Sequence, residues 1–223
     1  NEADALRSAR STDGRGEGRL RFALAGVQMA VALVLLSGAA LLGASVYRLL
    51  HVSPGFDPEG VVTMRINLPP TYRTIEAVNA FHDRLRARLE AIPGVRAAAA
   101  INQAPLTGRG NTGTPAVVER PRPPGEAGPD VALRTVSANY FSTMGIPIVR
   151  GRGFTDRDAP GAPQVVLINR FAAEHVLPGA DPIGQHITFE FAEGRFQIVG
   201  IVGNEQFDAI DKPMLPVVYF PAR

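Results

Sequence analysis

Two aspartates stand two residues apart in Phe154-Thr-Asp-Arg-Asp158, a spacing that calcium loops use to set oxygen donors around one ion. Such a loop also needs further oxygen ligands and a closing glutamate, and Ala159-Pro160-Gly161 supplies none, so Asp156 and Asp158 read as turn-capping carboxylates. The four histidines, His51, His82, His175 and His186, fall at no ligand-like spacing, and no HExxH occurs. There is no cysteine, which removes disulfides, thiolate zinc sites and cysteine nucleophiles together. Gly108-Arg-Gly110-Asn-Thr-Gly113 has the spacing of dinucleotide-binding glycines. That pattern works where a strand feeds a helix whose N-terminus meets the pyrophosphate, and here Thr114-Pro115 and another apolar run follow, so a loop is expected. No serine sits in a GxSxG setting and there is no P-loop, so any ATP hydrolysis must come from another chain. An enzyme would need a site built from the loops near Asp156, Asp158 and His175. No catalytic, cofactor-binding or metal-binding residue is assigned.

Charge excludes a second class. The sequence pI is near 9.4, but six arginines against four acids precede His51, and the 17 basic and 17 acidic residues after it cancel. The excess therefore flanks one segment and forms no basic groove on a folded domain, so nucleic acid is not an expected partner. Among the 23 basic residues only Lys212 is a lysine, a bias that reflects genome composition better than function.

The segment that the excess flanks is Phe22–Tyr47, 26 residues without a charge between Arg21 and Arg48. As a helix it would be roughly 39 Å long against a hydrocarbon core of ~30 Å, enough to span a bilayer with some tilt. A buried core helix would not run so long. A cleavable signal, cut near Gly43, Ala44 and Ser45, would have a shorter apolar stretch without 21 residues ahead of it. Residues 1–21, rich in Arg, Gly, Ser and acids, read as a flexible juxtamembrane tail. Arg15, Arg19 and Arg21 crowd one end of the span and Arg48 stands alone at the other, which places the tail in the cytoplasm and residues after about 48 outside. Within the span, Gly26 and Ala30, and again Ala39 and Gly43, form small-xxx-small pairs that let another helix approach closely. Gln28 either bonds across to a neighbouring helix or lies near enough to the interface to stay hydrated.

Beyond the span, Val62, Met64, Ile66 and Leu68 alternate with polar residues as in a strand. Ile75, Val78, Phe81, Leu85, Leu89 and Ile92 recur at helical spacing, with Thr74 as N-cap and Pro93-Gly94 as stop. Val95–Ile101 follows as a second strand, giving a βαβ unit or half of a split one. From Asn102 the chain turns rich in glycine and proline. Ala116–Val118, Val131–Val136, Ile146–Val149, Val165–Ile168 and His186–Phe191 read as strands, and Asn139–Met144 and Arg170–Val176 as short helices. Phe196–Val202 and Leu215–Phe220 are the last two strands. No internal repeat is present.

The block Asn139-Tyr-Phe-Ser-Thr-Met-Gly-Ile-Pro-Ile-Val-Arg-Gly-Arg-Gly-Phe-Thr-Asp-Arg-Asp158 resembles the MacB-like periplasmic core domain of FtsX-type ABC transporter permeases. The likeness continues in Val165-Val-Leu-Ile-Asn169, Pro178-Gly-Ala-Asp-Pro-Ile-Gly184 and Ile198-Val-Gly-Ile-Val-Gly203, and includes Gln28 and Val52-Ser-Pro-Gly-Phe-Asp57. The arginine- and glycine-rich lead-in is similar to the junction in duplicated permeases of the acidobacterial type. The resemblance implies an α+β fold: one N-terminal transmembrane helix (22–48) and an extracytoplasmic domain (49–223). That domain would have a ferredoxin-like α/β lobe (60–102 and 195–223) and an inserted β-rich lobe (103–194). It implies a non-catalytic permease of the cell inner membrane, a separate ATP-binding cassette ATPase, another permease half or a homodimer, a periplasmic adaptor, and surrounding lipid. ATP-driven motion would pass through the membrane helix into the domain, for export or extraction of a substrate from the membrane. The family pattern continues past Pro221 with a helix, a strand and three more spans, so a C-terminally truncated segment is expected. The residues alone fit a single-pass, receptor-like extracytoplasmic binding module as well. Three downstream spans beside an ATPase gene would favour the permease, and a stop codon or cytoplasmic signalling domain the receptor.

Overall fold

Three strands of this chain are apolar at nearly every position because the sheet they share is covered on both faces. The computed structural model describes residues 2–72, 74–123, 125–126, 128–155, 157–158 and 161–222, with side chains from residue 18 onward except that of residue 75. It divides into Asn1–Val52 and Ser53–Arg223. The second unit is built on an eight-stranded mixed sheet with strands β1 (Thr112–Gly113), β2 (Ala116–Val117), β3 (Val131–Val136), β4 (Ile148–Gly151), β5 (Val165–Asn169), β6 (His186–Phe189), β7 (Ala192–Val202) and β8 (Val217–Pro221). Their order is β1-β3-β8-β5-β7-β6-β2, and β4 pairs with β7. The fold class is α+β.

Alternation along the central strands sorts side chains between two cores. Val166, Ile168 and Val218 face the helix α4 (Arg170–Val176), where Ala172, Val176 and Leu177 close the layer. Val165, Leu167, Val217 and Tyr219 face the opposite way, under the short helix α3 (Tyr140–Thr143) with Tyr140 and Phe141. In β7 the alternation slips: Val166 pairs with Ile198 but Leu167 pairs with Gly200. The extra residue, Val199, shifts the strand's phase, so Ile198 and Ile201 reach the same core three residues apart. Gly200 sits where β7 passes under the chain after β4. A Cβ there would lie 2.2 Å from the Arg152 carbonyl oxygen and 2.7 Å from Leu167 Cδ2.

The amphipathic helix forms as its spacing requires, as α2 (Ile75–Glu90). Thr74 Oγ1 accepts from the Ala77 N–H at 3.2 Å as the expected N-cap. The strands expected on either side of it do not form. Among the described residues Val62–Leu68 has no ladder partner, and Val62 and Met64 are 88% and 60% exposed. Val95–Ile101 touches the sheet only at its end, through an isolated bridge from Ile101 to Val136. Alternation makes a segment fit for a sheet, but a strand exists only where a neighbour supplies the other half of each hydrogen bond. The last two expected strands do form, as β7 and β8, and pair within the one sheet with β3, β5 and β6.

The first unit is the helix α1 (Glu2–Leu50). It contains the apolar run and starts twenty residues before it, where a flexible tail was expected. Adding residues to an existing helix avoids the cost of a new nucleus, and Ala5, Leu6, Arg7, Ala9 and Arg10 are good helix formers. Over Gly18–Leu50 the helix is long and apolar enough to cross a membrane: an 18-residue stretch of it has mean hydropathy 2.2, and none of that stretch is buried within the chain.

Candidate functional site

The structure gathers four polar side chains that sequence reasoning left apart. Arg134 on β3 and Tyr219 on β8 are register partners in the parallel ladder and so project from the same face of the sheet. Tyr140 opens α3 above them, and Glu205 descends from the segment after β7. The Tyr219 hydroxyl donates to Glu205 Oε1 at 2.6 Å and the Tyr140 hydroxyl to Oε2 at 2.8 Å. Arg134 donates to the carbonyls of Leu133 (2.9 Å) and Arg109 (2.7 Å), and its guanidinium lies 4.3 Å from the centre of the Phe207 ring. Its Nε has no partner among the described residues. Glu205, Arg134 and Tyr219 are fully buried.

Burial dominates the electrostatics of this cluster. Loss of water pushes the Glu205 carboxyl up to about 7, against the pull of the two tyrosine hydroxyls and the Arg134 charge. The same burial, reinforced by the neighbouring carboxylate, raises both tyrosine hydroxyls. A carboxyl with a raised pKa can serve as a general acid, but this one has no open side for a substrate. What the geometry does is tie β8 and α3 to one side chain of the segment after β7, with the Arg134 charge of β3 close by.

Glu205 lies in a segment, Gly203–Phe207, that is bonded on all sides. The Gly203 N–H donates to Pro147 O at 2.9 Å, and Asn204 Oδ1 accepts from the Phe171 N–H at the start of α4 (2.9 Å). The Gln206 N–H donates to Pro54 O at 2.8 Å, and the carbonyls of Gln206 and Phe207 accept from Leu106 and Gly108.

The quoted motifs turn out to be turn and cap chemistry. Asp158 accepts from both Arg152 nitrogens (2.8 and 2.9 Å) and from the Thr155 N–H (2.8 Å). The Arg152 hydrogen bonds are the chief reason its carboxyl drops to about 2. It is a turn cap; Asp156 lies outside the described residues. Asn169 caps α4, accepting from the Ala172 N–H at 2.8 Å, and also accepts from Val217 N–H (3.0 Å) and donates to Leu215 O (2.8 Å). Asp181 Oδ1 accepts from the Ile183 N–H and Oδ2 from Arg150. His175 bonds back to Phe171 O, far in sequence from any second ligand, and no cluster of three His, Asp or Glu side chains that could hold a metal occurs among the described residues. The 108–113 glycines lead into β1 and no helix follows.

The membrane-helix residues all lie on α1. At roughly 100° per residue, Gly26 and Ala30 share one face, while Gln28, Ala39 and Gly43 fall on the other side. A Cβ on Gly26 or Gly43 would meet nothing within 4 Å.

Glu205, Arg134 and Tyr219 carried no legible signal. Arg134 interrupts an apolar strand as a solvent-facing residue would, and Gly203-Asn-Glu-Gln-Phe207 has neither periodicity nor motif. Only Tyr140 lay inside a block already singled out.

The sequence matches the family described as MacB-like periplasmic core domain over residues 22–223. A curated relative, the macrolide export ATP-binding/permease protein MacB of Mannheimia succiniciproducens, is 27% identical over 77 residues, which span 34% of this chain and 12% of that protein. Among solved structures, the periplasmic region of MacB from Actinobacillus actinomycetemcomitans is similar at 17% identity, covering 61% of this chain and 53% of that one (TM-score 0.43). The extracellular domain of the ABC-type transporter YknZ from Gram-positive bacteria matches at 20% identity over 52% of this chain and 57% of that one (TM-score 0.35). A domain of a permease protein from Porphyromonas gingivalis matches at 16% identity over 61% and 54% (TM-score 0.41).

Proposed function

The chain belongs to the MacB-like periplasmic core domain family, and from that premise we propose that it is a non-catalytic part of an ABC transporter permease in the inner membrane. Residues 22–48 cross the membrane, residues 1–21 stay in the cytoplasm, and residues 49–223 form the extracytoplasmic domain. ATP is hydrolysed by a partner ATP-binding cassette subunit. The resulting motion passes through α1 into the domain and drives export, or extraction from the membrane, of a substrate. A second permease half, or a second copy, packs against α1 at Gly26 and Ala30, or at Ala39 and Gly43 with Gln28 on that same side bonding between helices. An adaptor outside the membrane receives what is moved.

One observation carries this reading: the family match runs through both the apolar helix and the folded domain behind it. The arginine excess before the span supports the orientation. Absence of cysteine makes the test clean. Single cysteines at Ser11 and at exposed Thr63 are labelled in intact cells with a membrane-impermeant maleimide. S11C is expected to react only after permeabilisation and T63C before it; the reverse pattern refutes the orientation. The full reading frame, reconstituted with its ATPase, is expected to stimulate hydrolysis, and a frame without further spans or stimulation leaves the receptor-like module standing.

A further inference from the structure

Four consecutive residues behind α1 are each fastened to the sheet domain. Pro54 offers its carbonyl to the Gln206 N–H at 2.8 Å. Gly55, at φ +86°, passes so close to the loop that a Cβ there would lie 1.9 Å from the Asn204 carbonyl oxygen. Phe56 packs against the core beneath α3. The Asp57 N–H donates to Met144 O at 2.9 Å. Only Ser53 separates this clamp from Val52, the last residue of the helical unit. After the end of α1 at Leu50, these are the first residues of the chain with hydrogen bonds to the sheet unit.

The other jaw of the clamp, Gly203–Phe207, is an irregular segment with no ladder of its own. Its position is set by backbone hydrogen bonds to Pro147, Pro54, Leu106 and Gly108 and by buried side chains, the deepest of which is Glu205. The two tyrosines that grip it come from β8, flanked by β3 and β5 in the sheet, and from α3, which also supplies the Asp57 acceptor one residue beyond its end. We propose that Pro54–Asp57 and Gly203–Phe207 form the junction through which displacement of the membrane helix enters the sheet, with Glu205 as its positioning residue. The role in transport rests on the permease reading above; the mechanical role of Glu205 does not.

Two measurements separate the two. In detergent or nanodiscs, amide exchange of peptides covering 53–58 and 203–208 is compared for wild type, Glu205→Ala, Glu205→Gln and Gly55→Ala. Glu205→Ala removes both acceptors and is expected to raise exchange in both peptides at least tenfold, while Glu205→Gln, which still accepts from one tyrosine and donates toward the other, stays within about threefold of wild type. Gly55→Ala attacks the opposite jaw without touching the tyrosines, and is expected to free 203–208 to a similar extent. Unchanged exchange at 53–58 in a Glu205→Ala protein overturns the inference. So does Gly55→Ala leaving 203–208 as protected as wild type. In the full permease with its ATPase, Glu205→Ala is expected to keep ATP hydrolysis and lose at least fivefold in substrate moved per ATP, with Glu205→Gln close to wild type. A wild-type permease that moves nothing sinks the function above and leaves the exchange result to decide the junction. Full transport by Glu205→Ala sinks the junction and leaves that function intact.

Discussion

Replacing Asn169 by alanine should unfold the extracytoplasmic unit at a distinctly lower temperature. The side chain is fully buried and makes three hydrogen bonds to two elements: the Ala172 N–H in α4, and the Val217 N–H and Leu215 carbonyl where the chain enters β8. Loss of the cap alone costs about 1 kcal/mol. The buried Val217 N–H and the half-buried Leu215 carbonyl then lose their partner, and each such group costs about 1–3 kcal/mol if no water reaches it. Partial relaxation brings the sum to about 3 kcal/mol, which for a unit of this size lowers Tm by about 6–12 °C. The chain has no tryptophan and four tyrosines, two of which, Tyr140 and Tyr219, are buried in the unit, so near-ultraviolet circular dichroism follows its packing while α1 stays in detergent. Asn169→Ser separates the contributions. Serine can cap α4 but is too short to serve β8, so it should recover only the capping part, about 2–4 °C. A shift below about 2 °C for alanine, or full recovery with serine, would refute the argument that one amide joins helix and strand.

Two further outcomes follow from the same geometry. Glu205 titrates near 7 in the fold and near 4.5 when unfolded, so the native state holds the extra proton between those values and stability falls by about 3 kcal/mol as pH rises from 4.5 to 7. The groups facing it are Tyr140, Tyr219 and Arg134. Asp158 has the opposite sense: held near 2 against 3.8 unfolded, it adds about 2 kcal/mol above pH 4 that is lost as pH falls toward 2. Denaturant titrations across pH should therefore peak near pH 4–5, and Glu205→Gln should flatten the decline above the peak while leaving the acid limb; an unchanged decline would show that Glu205 does not cause it. Gly200→Ala drives a Cβ into the Arg152 carbonyl and Leu167, and is expected to cost about 3 kcal/mol or more, read as a lower denaturation midpoint. A midpoint equal to wild type would mean that β7 and the chain after β4 can separate freely.

Much of the local structure was written in the order of residues. The uncharged run of α1 and the three-and-four spacing of α2 with Thr74 ahead of it are decided by near neighbours, since a helix closes its hydrogen bonds within its own segment, and the apolar runs of β3, β5 and β8 marked segments fit for a sheet covered on both faces. Asp158 as a turn cap was legible from near neighbours too, its donors Arg152 and Thr155 lying within six residues. The tertiary structure decided everything that required a partner. Val62–Leu68 alternates as well as any strand in the chain and still forms none among the described residues, because alternation cannot create the neighbour that would share its hydrogen bonds. Glu205 and Tyr140 are 65 residues apart in sequence, and Asn169 and Val217 are 48 apart. No spacing rule reaches that far; only the folding of β8 between β3 and β5 brings those atoms within 3 Å.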